Sequence, residues 1–420
     1  MNPRAVERIS HQPRLPDKDQ GKLKYAHLNG NVFHEDAMKV TEVAGEYPSS
    51  RSEVVPVSPP RAERLVSLDA LRGFDMFWIT GGTAILFGAG KVIERPFFDK
   101  ILDQFDHVPW QGLHIYDLIW PLFMFVMGAA IPLAVAKRRA RGQSDRTLLL
   151  HAVWRAIVMF CLGTITQGNL LLFDWSRFHP CYSVLHGLAA GYLVAMLVVL
   201  KVKPKWHAAT IAALLLVYWA AVMLIPVPGI GAGVLTPQGN LPAYVDRLIL
   251  GQLHFGKNTW FLSYPGFGAS VLLGVLAGQM LMSDGTPSSK IVRMVTAGAV
   301  SLVLGLVWSL SFPVIKLMWT SSFVLISGGV SFFALALFYW IIDVLGYKKW
   351  AFGFIVIGMN SLAVYVATGI FDFQQVGNIF VGHLLPRIGR WAALVEASAA
   401  YAVVWLILYW MYRKKEFIRI

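Results

Sequence analysis

Charge is scarce in this chain. Asp, Glu, Lys and Arg make up 15% of its 420 residues against 56% hydrophobic residues, and the mean hydropathy is +0.55. A soluble domain of this length carries about a quarter of its residues charged, so the composition excludes one and points to a membrane protein. Acid is scarcer than base, with 24 Asp and Glu against 37 Lys and Arg, a formal charge of +13. The basic residues sit in short clusters between apolar runs rather than along one amphipathic face, so topology accounts for them and no nucleic-acid partner is expected. Cysteine is nearly absent. Cys161 and Cys181 show no metal or redox spacing and are expected to be free packing thiols. The glycines at 81–82, 328–329 and 229–233 do not match a phosphate-loop or dinucleotide pattern. His114, His179, His186, His254 and His383 lack ligand spacing, so no metal is expected.

What is abundant is long apolar sequence. Ten runs can each cross about 30 Å of hydrocarbon as a helix: 68–87, 113–136, 148–165, 183–200, 206–225, 264–282, 291–310, 322–344, 352–371 and 391–412. The fold class expected is all-α, a polytopic membrane bundle of about ten helices. Ahead of it, residues 1–60 mix Pro, Ser, His, Glu and Lys without a period or a signal-peptide core. They read as a disordered cytosolic tail, and 61–420 as one transmembrane domain.

Basic residues mark alternate connections: Arg61 and Arg64, then Lys137 to Arg146, Lys201 to Lys205, Lys290 and Arg293, Lys348 and Lys349, and finally Arg413 to Arg419. By the positive-inside rule both termini are then cytosolic. The other face carries the long loops 88–112, 226–263, 311–321 and 372–390, rich in Pro, Gly, Trp and His, where sites are expected.

Charges in or beside spans are expensive and draw attention to function. Asp69 and Arg72, three residues apart, can pair on one helix face, although a helix-terminal acid and a snorkelling arginine explain them equally. Asp117 enters the second span beside Tyr116 and Trp120, where a carboxylate must be paired or reach water. His107 lies ten residues before it at the outer mouth, either as a solvated loop histidine or as a group that exchanges a proton near neutral pH. Asp246 and Arg247 form another outer charged pair. Lys316 and Trp319 give the eighth span a polar mouth, and Asn360 places an amide inside the ninth, where a helix link is the plainer reading.

Together these segments resemble the heparan-α-glucosaminide N-acetyltransferase family and its bacterial relatives. The likeness runs through Ser67-Leu68-Asp69-Ala70-Leu71-Arg72-Gly73, then His107 with Trp110, Gly112, Leu113, Asp117-Leu118 and Pro121. It continues through Asp246-Arg247 with Gly251, then Pro313, Lys316 and Trp319, and through Gly358-Met359-Asn360-Ser361 with Val364-Tyr365, ending at Tyr412-Arg413-Lys414-Lys415.

The resemblance implies a membrane acyltransferase that moves acetyl from cytosolic acetyl-CoA, its co-substrate, to an amino sugar on the far side. It places the active-site histidine at His107; the chemistry then calls for this group as the base or as a transient acyl carrier, with Asp117 or Asp106 fixing its tautomer. Trp110, Asp246, Arg247, Lys316, Trp319 and Asn360 are expected around the acceptor, and Asp69 and Arg72, with Arg138, toward the donor. Two departures stand out: His186-Gly187 replaces the family's Gln-Arg, and Thr80-Gly81 an asparagine near the end of the first span. The large extra-cytosolic domain of the animal enzyme is not seen. The acceptor expected is therefore a bacterial glycan or glycolipid, and the location a bacterial inner membrane, with membrane lipid around the chain and a homodimer as one open assembly. A transporter or lipid flippase, and a catalytically dead scaffold, are the competing readings.

Overall fold

The structure, a computed structural model, describes residues 65–418 apart from 94, 175, 176 and 255. The expected tail at 1–60, with Arg61, Arg64 and Arg419, lies outside the described residues.

The described residues contain helices and no strand. In chain order the α-helices are α1 (Val66–Phe77), α2 (Thr83–Gly90), α3 (Pro96–Gln104), α4 (Ile119–Arg139), α5 (Asp145–Thr166), α6 (Val184–Lys201), α7 (His207–Leu224) and α8 (Leu241–Leu250). Then follow α9 (Tyr264–Met282), α10 (Pro287–Ser309), α11 (Ser321–Phe338), α12 (Phe352–Met359), α13 (Ser361–Ile370), α14 (Phe373–Val381) and α15 (Ala392–Lys414). Eight helical stretches are long and apolar enough to cross a membrane, built on α4, α5, α6, α7, α9, α10, α11 and α15. A ninth crossing arises if α12 and α13, bent by 74° at Asn360, are taken as one broken span. The protein is an integral multi-pass membrane helical bundle.

The first expected span is interrupted rather than straight. Between α1 and α2 the helix widens into a π-turn at Trp78–Gly82, and Gly81 leaves helical geometry there. A Cβ on Gly81 would stand 2.7 Å from the Tyr401 ring of α15, so the break is packed from the side. Irregular turns of this kind inside helices often accompany function.

In lipid, helices associate by close packing and not by escape from water, and small residues permit the closest approach. Two crossings show it. A Cβ on Gly128 of α4 would lie 2.0 Å from the Val271 carbonyl of α9, and one on Gly274 would lie 1.9 Å from that of Phe125. Likewise a Cβ on Gly73 of α1 would lie 1.7 Å from Phe354 O, and one on Gly358 of α12 would lie 1.8 Å from Asp69 O. Helices α9 and α11 are therefore central, while α10 and α15 present most of their surface outward to lipid.

The start of α1 has no cap of its own. Asp343, just past α11, supplies one, its two carboxylate oxygens accepting from the Val66 and Ser67 amides, both at 3.2 Å. Ser144, Asn240 and Thr286 cap α5, α8 and α10 locally. These fixed ends set the register of the spans that carry the site.

Candidate active site

The loop after α3 ends in a short 3-10 turn, Ile115–Leu118, which turns the chain into α4. Asp117 sits in this turn, buried, and its carboxylate gathers the site. One oxygen, Oδ2, accepts from the His114 amide at 3.2 Å and lies 3.5 Å from that of Val108, which fixes the side chain. The other, Oδ1, stands 2.8 Å from His107 Nδ1 and accepts from Lys316 Nζ at 3.0 Å. Lys316 comes from the loop between α10 and α11, 199 residues along the chain. Burial pulls the Lys316 ammonium below its ordinary pKa, against the opposing pull of Asp117.

His107 Nδ1 is also 3.1 Å from Lys316 Nζ. One ring nitrogen cannot donate to the carboxylate and accept from the ammonium at once. The carboxylate is the stronger partner, and Lys316 is satisfied by the same oxygen. Nδ1 therefore carries the proton, and Nε2 keeps its lone pair. Asp106 accepts the His107 backbone amide at 2.8 Å and not the ring, so Asp117 is the group that orients the imidazole.

His107, Asp117 and Lys316 line a chamber of about 520 Å³ with Tyr116, Trp120 and Tyr365. The His107 ring packs on that of Tyr116 at 4.9 Å between centroids. Across the chamber, Tyr365 of α13 donates to the Gln167 side chain at 3.3 Å. The floor is an aromatic stack, with Trp120 edge-on to Trp319 at 4.6 Å and Phe267 at 4.9 Å beyond.

A second cavity of about 460 Å³ opens at the other end of the bundle, where α4 and α15 finish in Lys and Arg. Its polar lining is mostly basic, with Arg72 of α1, Arg138 of α4, and His151 and Arg155 of α5, and it also holds Asp69, Tyr192 and Ser361. Asp69 lies 3.8 Å from Arg72, Arg138 contacts the His151 ring, and Arg155 donates to Tyr192 Oη at 3.2 Å. The two cavities stand back to back, and Phe123 and Leu188 line both.

The remaining candidates fall outside the chamber lining. Trp110 donates from Nε1 to Leu235 O at 2.8 Å and ties the outer loops together. Asp246 is buried and accepts from the Trp260 and Phe261 amides at 2.7 and 3.1 Å. Burial nevertheless pushes its carboxyl up to about 6, against those amides and Arg247. Arg247 itself donates to Gln238 O at 2.9 Å. Trp319 is buried under Trp120 and donates to Ser270 Oγ at 2.9 Å. Asn360, at the break, donates to Glu416 O at 3.1 Å and accepts from the Ile418 amide at 2.9 Å, holding the segment after α15 against the basic cavity, which Phe417 and Ile418 line.

Sequence reasoning passed over Tyr116, Tyr365, Gln167, His151 and Arg155 as site residues. Arg155 had a signal, a charge seven residues into an apolar run. So did Asp75, fully buried in α1 with both carboxyl oxygens lacking a hydrogen-bond partner among the described residues. Of the two departures, His186 caps α6, its Nδ1 accepting from the Tyr182 and Ser183 amides at 3.0 and 3.1 Å. A Cβ on Gly187 would lie 2.6 Å from Trp120, so this glycine makes room for the chamber's tryptophan.

Residues 64–175 match the family described as Domain of unknown function (DUF5009). Human heparan-alpha-glucosaminide N-acetyltransferase is 28% identical over 420 aligned residues, covering 86% of this chain and 60% of the human protein. The mouse protein of that name is 27% identical over 423, covering 86% and 61%. This chain is similar in sequence to heparan-α-glucosaminide N-acetyltransferase. It spans about three fifths of the length of these curated relatives.

Proposed function

We propose that this protein is a membrane acyltransferase moving an acetyl group from acetyl-CoA, bound from the basic cytosolic end, to an amino sugar or glycan acceptor at the opposite face. The observation that carries this reading is the pair of opposed cavities, one lined by arginines and one holding His107, Asp117 and Lys316, with Phe123 and Leu188 common to both. Arg72, Arg138 and Arg155 suit the phosphates of the donor, since guanidinium groups pair bidentately with phosphate oxygens. The acetyl end then reaches the shared wall and His107 beyond it. The names of the human and mouse relatives support N-acetyl transfer.

In this reading His107 Nε2 takes the proton of the attacking amine as nitrogen bonds to the thioester carbonyl carbon. Tyr365, which lines the same chamber, is the donor this reading gives to the tetrahedral oxyanion. On collapse the carbon–sulfur bond breaks, and His107 returns the proton to the leaving thiolate. Asp117 steadies the imidazolium between these steps. The products are the acetamide and free CoA, and no other reactant is required.

Purified protein in liposomes, supplied with labelled acetyl-CoA and amino-sugar acceptors of bacterial glycans, tests this. Transfer that is abolished in His107→Ala supports the assignment, and undiminished transfer refutes it. Opposed cavities with a thin shared wall also suit a carrier. A carrier for an unrelated solute would gain no thermal protection from acetyl-CoA and would release no CoA.

A further inference from the structure

A third cavity, of about 700 Å³, lies on the lateral surface between α2, the start of α14 and the outer half of α15. Neither the chemistry above nor the donor cavity uses it. Its lining mixes signs: Lys91 at the end of α2, Asp372 at the start of α14 and Glu396 in α15, with Thr80, Gln374 and Tyr401. Around it project Phe87, Phe371, Phe380 and Trp391, all exposed as a lipid-facing belt would be. The groove thus opens where the apolar surface meets the loop-rich end.

We propose that this groove binds a membrane lipid whose headgroup carries both a phosphate and a primary ammonium. Lys91 receives the phosphate, and Glu396 with Asp372 receives the ammonium, while the acyl chains run down the apolar sides of α2 and α15. A carboxylate inside a spanning helix is costly and calls for a partner. Glu396 Oε1 accepts from Asn378 Nδ2 at 2.7 Å, and Gln374 and Lys91 also act on this carboxylate, which steers it. A net-negative headgroup would meet two acids, and a trimethylated one would offer no N–H to them, so both fit less well. Placement adds a consequence for the proposed reaction, on whose reading it rests. The π-turn after α1 and helix α13 separate groove from chamber: Ile79 and Tyr365 face the chamber, while Thr80 and Thr368 face the groove. An amine-bearing lipid held in the groove therefore sits beside the acceptor site and is a class of acceptor delivered sideways from the membrane.

The test of binding is independent of transfer. Protein in nanodiscs of equal parts phosphatidylethanolamine, phosphatidylcholine and phosphatidylglycerol is extracted gently, and the co-purified lipid is counted by native mass spectrometry. Phosphatidylethanolamine is expected to be retained about tenfold over phosphatidylcholine, the discrimination given by hydrogen bonds to a charged group. Glu396→Gln is expected to erase the preference, and Lys91→Gln, which removes the partner of the phosphate common to all three headgroups, to lower retention of all three alike, each variant being checked for an unchanged melting profile. Lys91 is exposed at a helix end, so that variant does not threaten folding. Equal retention of the three lipids, a preference that survives Glu396→Gln, or retention untouched by Lys91→Gln overturns the proposal. Lipid selectivity without any acetyl transfer would leave the groove assigned and sink only the acyltransferase reading.

Discussion

Asp117→Asn probes the catalytic cluster with the smallest change in shape. The carboxylate now accepts from four directions: the ring and Lys316 on Oδ1, and the His114 and Val108 amides on Oδ2. An asparagine offers one accepting oxygen and one donating NH2. With the oxygen turned to the two amides, the NH2 faces Lys316 and His107. Lys316, 3.1 Å away, then donates to Nδ1 and forces the proton onto Nε2. The imidazole then presents a donor where a base is required. General-base loss of this kind is worth about 10²–10⁴ in turnover, or about 3–5 kcal/mol of transition-state stabilisation. Donor KM, set by the distant arginines, is expected to stay within about threefold. The double variant Asp117→Asn, Lys316→Met removes the ammonium that traps the wrong tautomer and is expected to recover part of the loss, about tenfold. Single-turnover transfer of labelled acetyl in liposomes measures all three proteins. The reasoning is refuted if the single variant works within threefold of wild type, or if removing Lys316 slows it further.

Other consequences concern packing and pH. Gly128→Ala drives a Cβ into the Val271 carbonyl at 2.0 Å, so α4 and α9 must part and stability should fall by about 2–4 kcal/mol in a detergent melt. Gly353→Ala, whose nearest neighbour is 3.7 Å away, should be neutral or raise stability by up to about 1 kcal/mol; a similar loss in both variants would contradict the packing argument. The Asp246 carboxyl, held up at about 6 by burial, binds its proton more tightly folded than unfolded. Its contribution is present below about pH 4 and lost as pH rises through about 6, about 3 kcal/mol in all. Melting across that range should fall more steeply in wild type than in Asp246→Asn, and parallel curves would exclude the effect. Asn360→Ala removes both bonds to the segment after α15; trypsin cleavage at Lys414 and Lys415 should quicken severalfold, with acetyl-CoA KM rising, and an unchanged cleavage rate would show the segment is held by other contacts.

The helical bundle was legible because its signal is compositional: span length and basic clusters do not depend on tertiary contacts. The interruptions were not. A reading by apolar length runs straight through Trp78–Gly82 and through Asn360, since both breaks are set by neighbours, Tyr401 in one case and the segment after α15 in the other. The site was legible in part for the same reason. His107 and Asp117 are ten residues apart, and local spacing joins them. Lys316 stood out only as a polar mouth, because its partner is 199 residues away. Asp246 and Arg247 look like a charged pair in sequence, yet each turns to backbone groups in the outer loops. Arg155 and His151 were passed over because a run is scored by its mean, which hides one charge among many apolar residues.

The break at Asn360 explains how two cavities approach one another across a membrane at all. A straight helix of the combined length of α12 and α13 would be about 28 Å long, enough to fill the hydrocarbon with protein. Instead the chain bends by 74°, and α13 has only ten residues, about 15 Å of helix. Along it, Ser361 and Leu362 line the basic cavity and Tyr365 lines the catalytic chamber. Three residues of one helix, about 5 Å of rise, separate the two sides there. In the proposed reaction a thioester arm then need not cross a bilayer, because about one turn of α13 separates the two cavities. The same bend leaves the Asn360 side chain free of its helix to grip the segment that follows α15, which walls the basic cavity. One asparagine thus stands both at the bend between the two cavities and at the contact that holds the wall of the basic one.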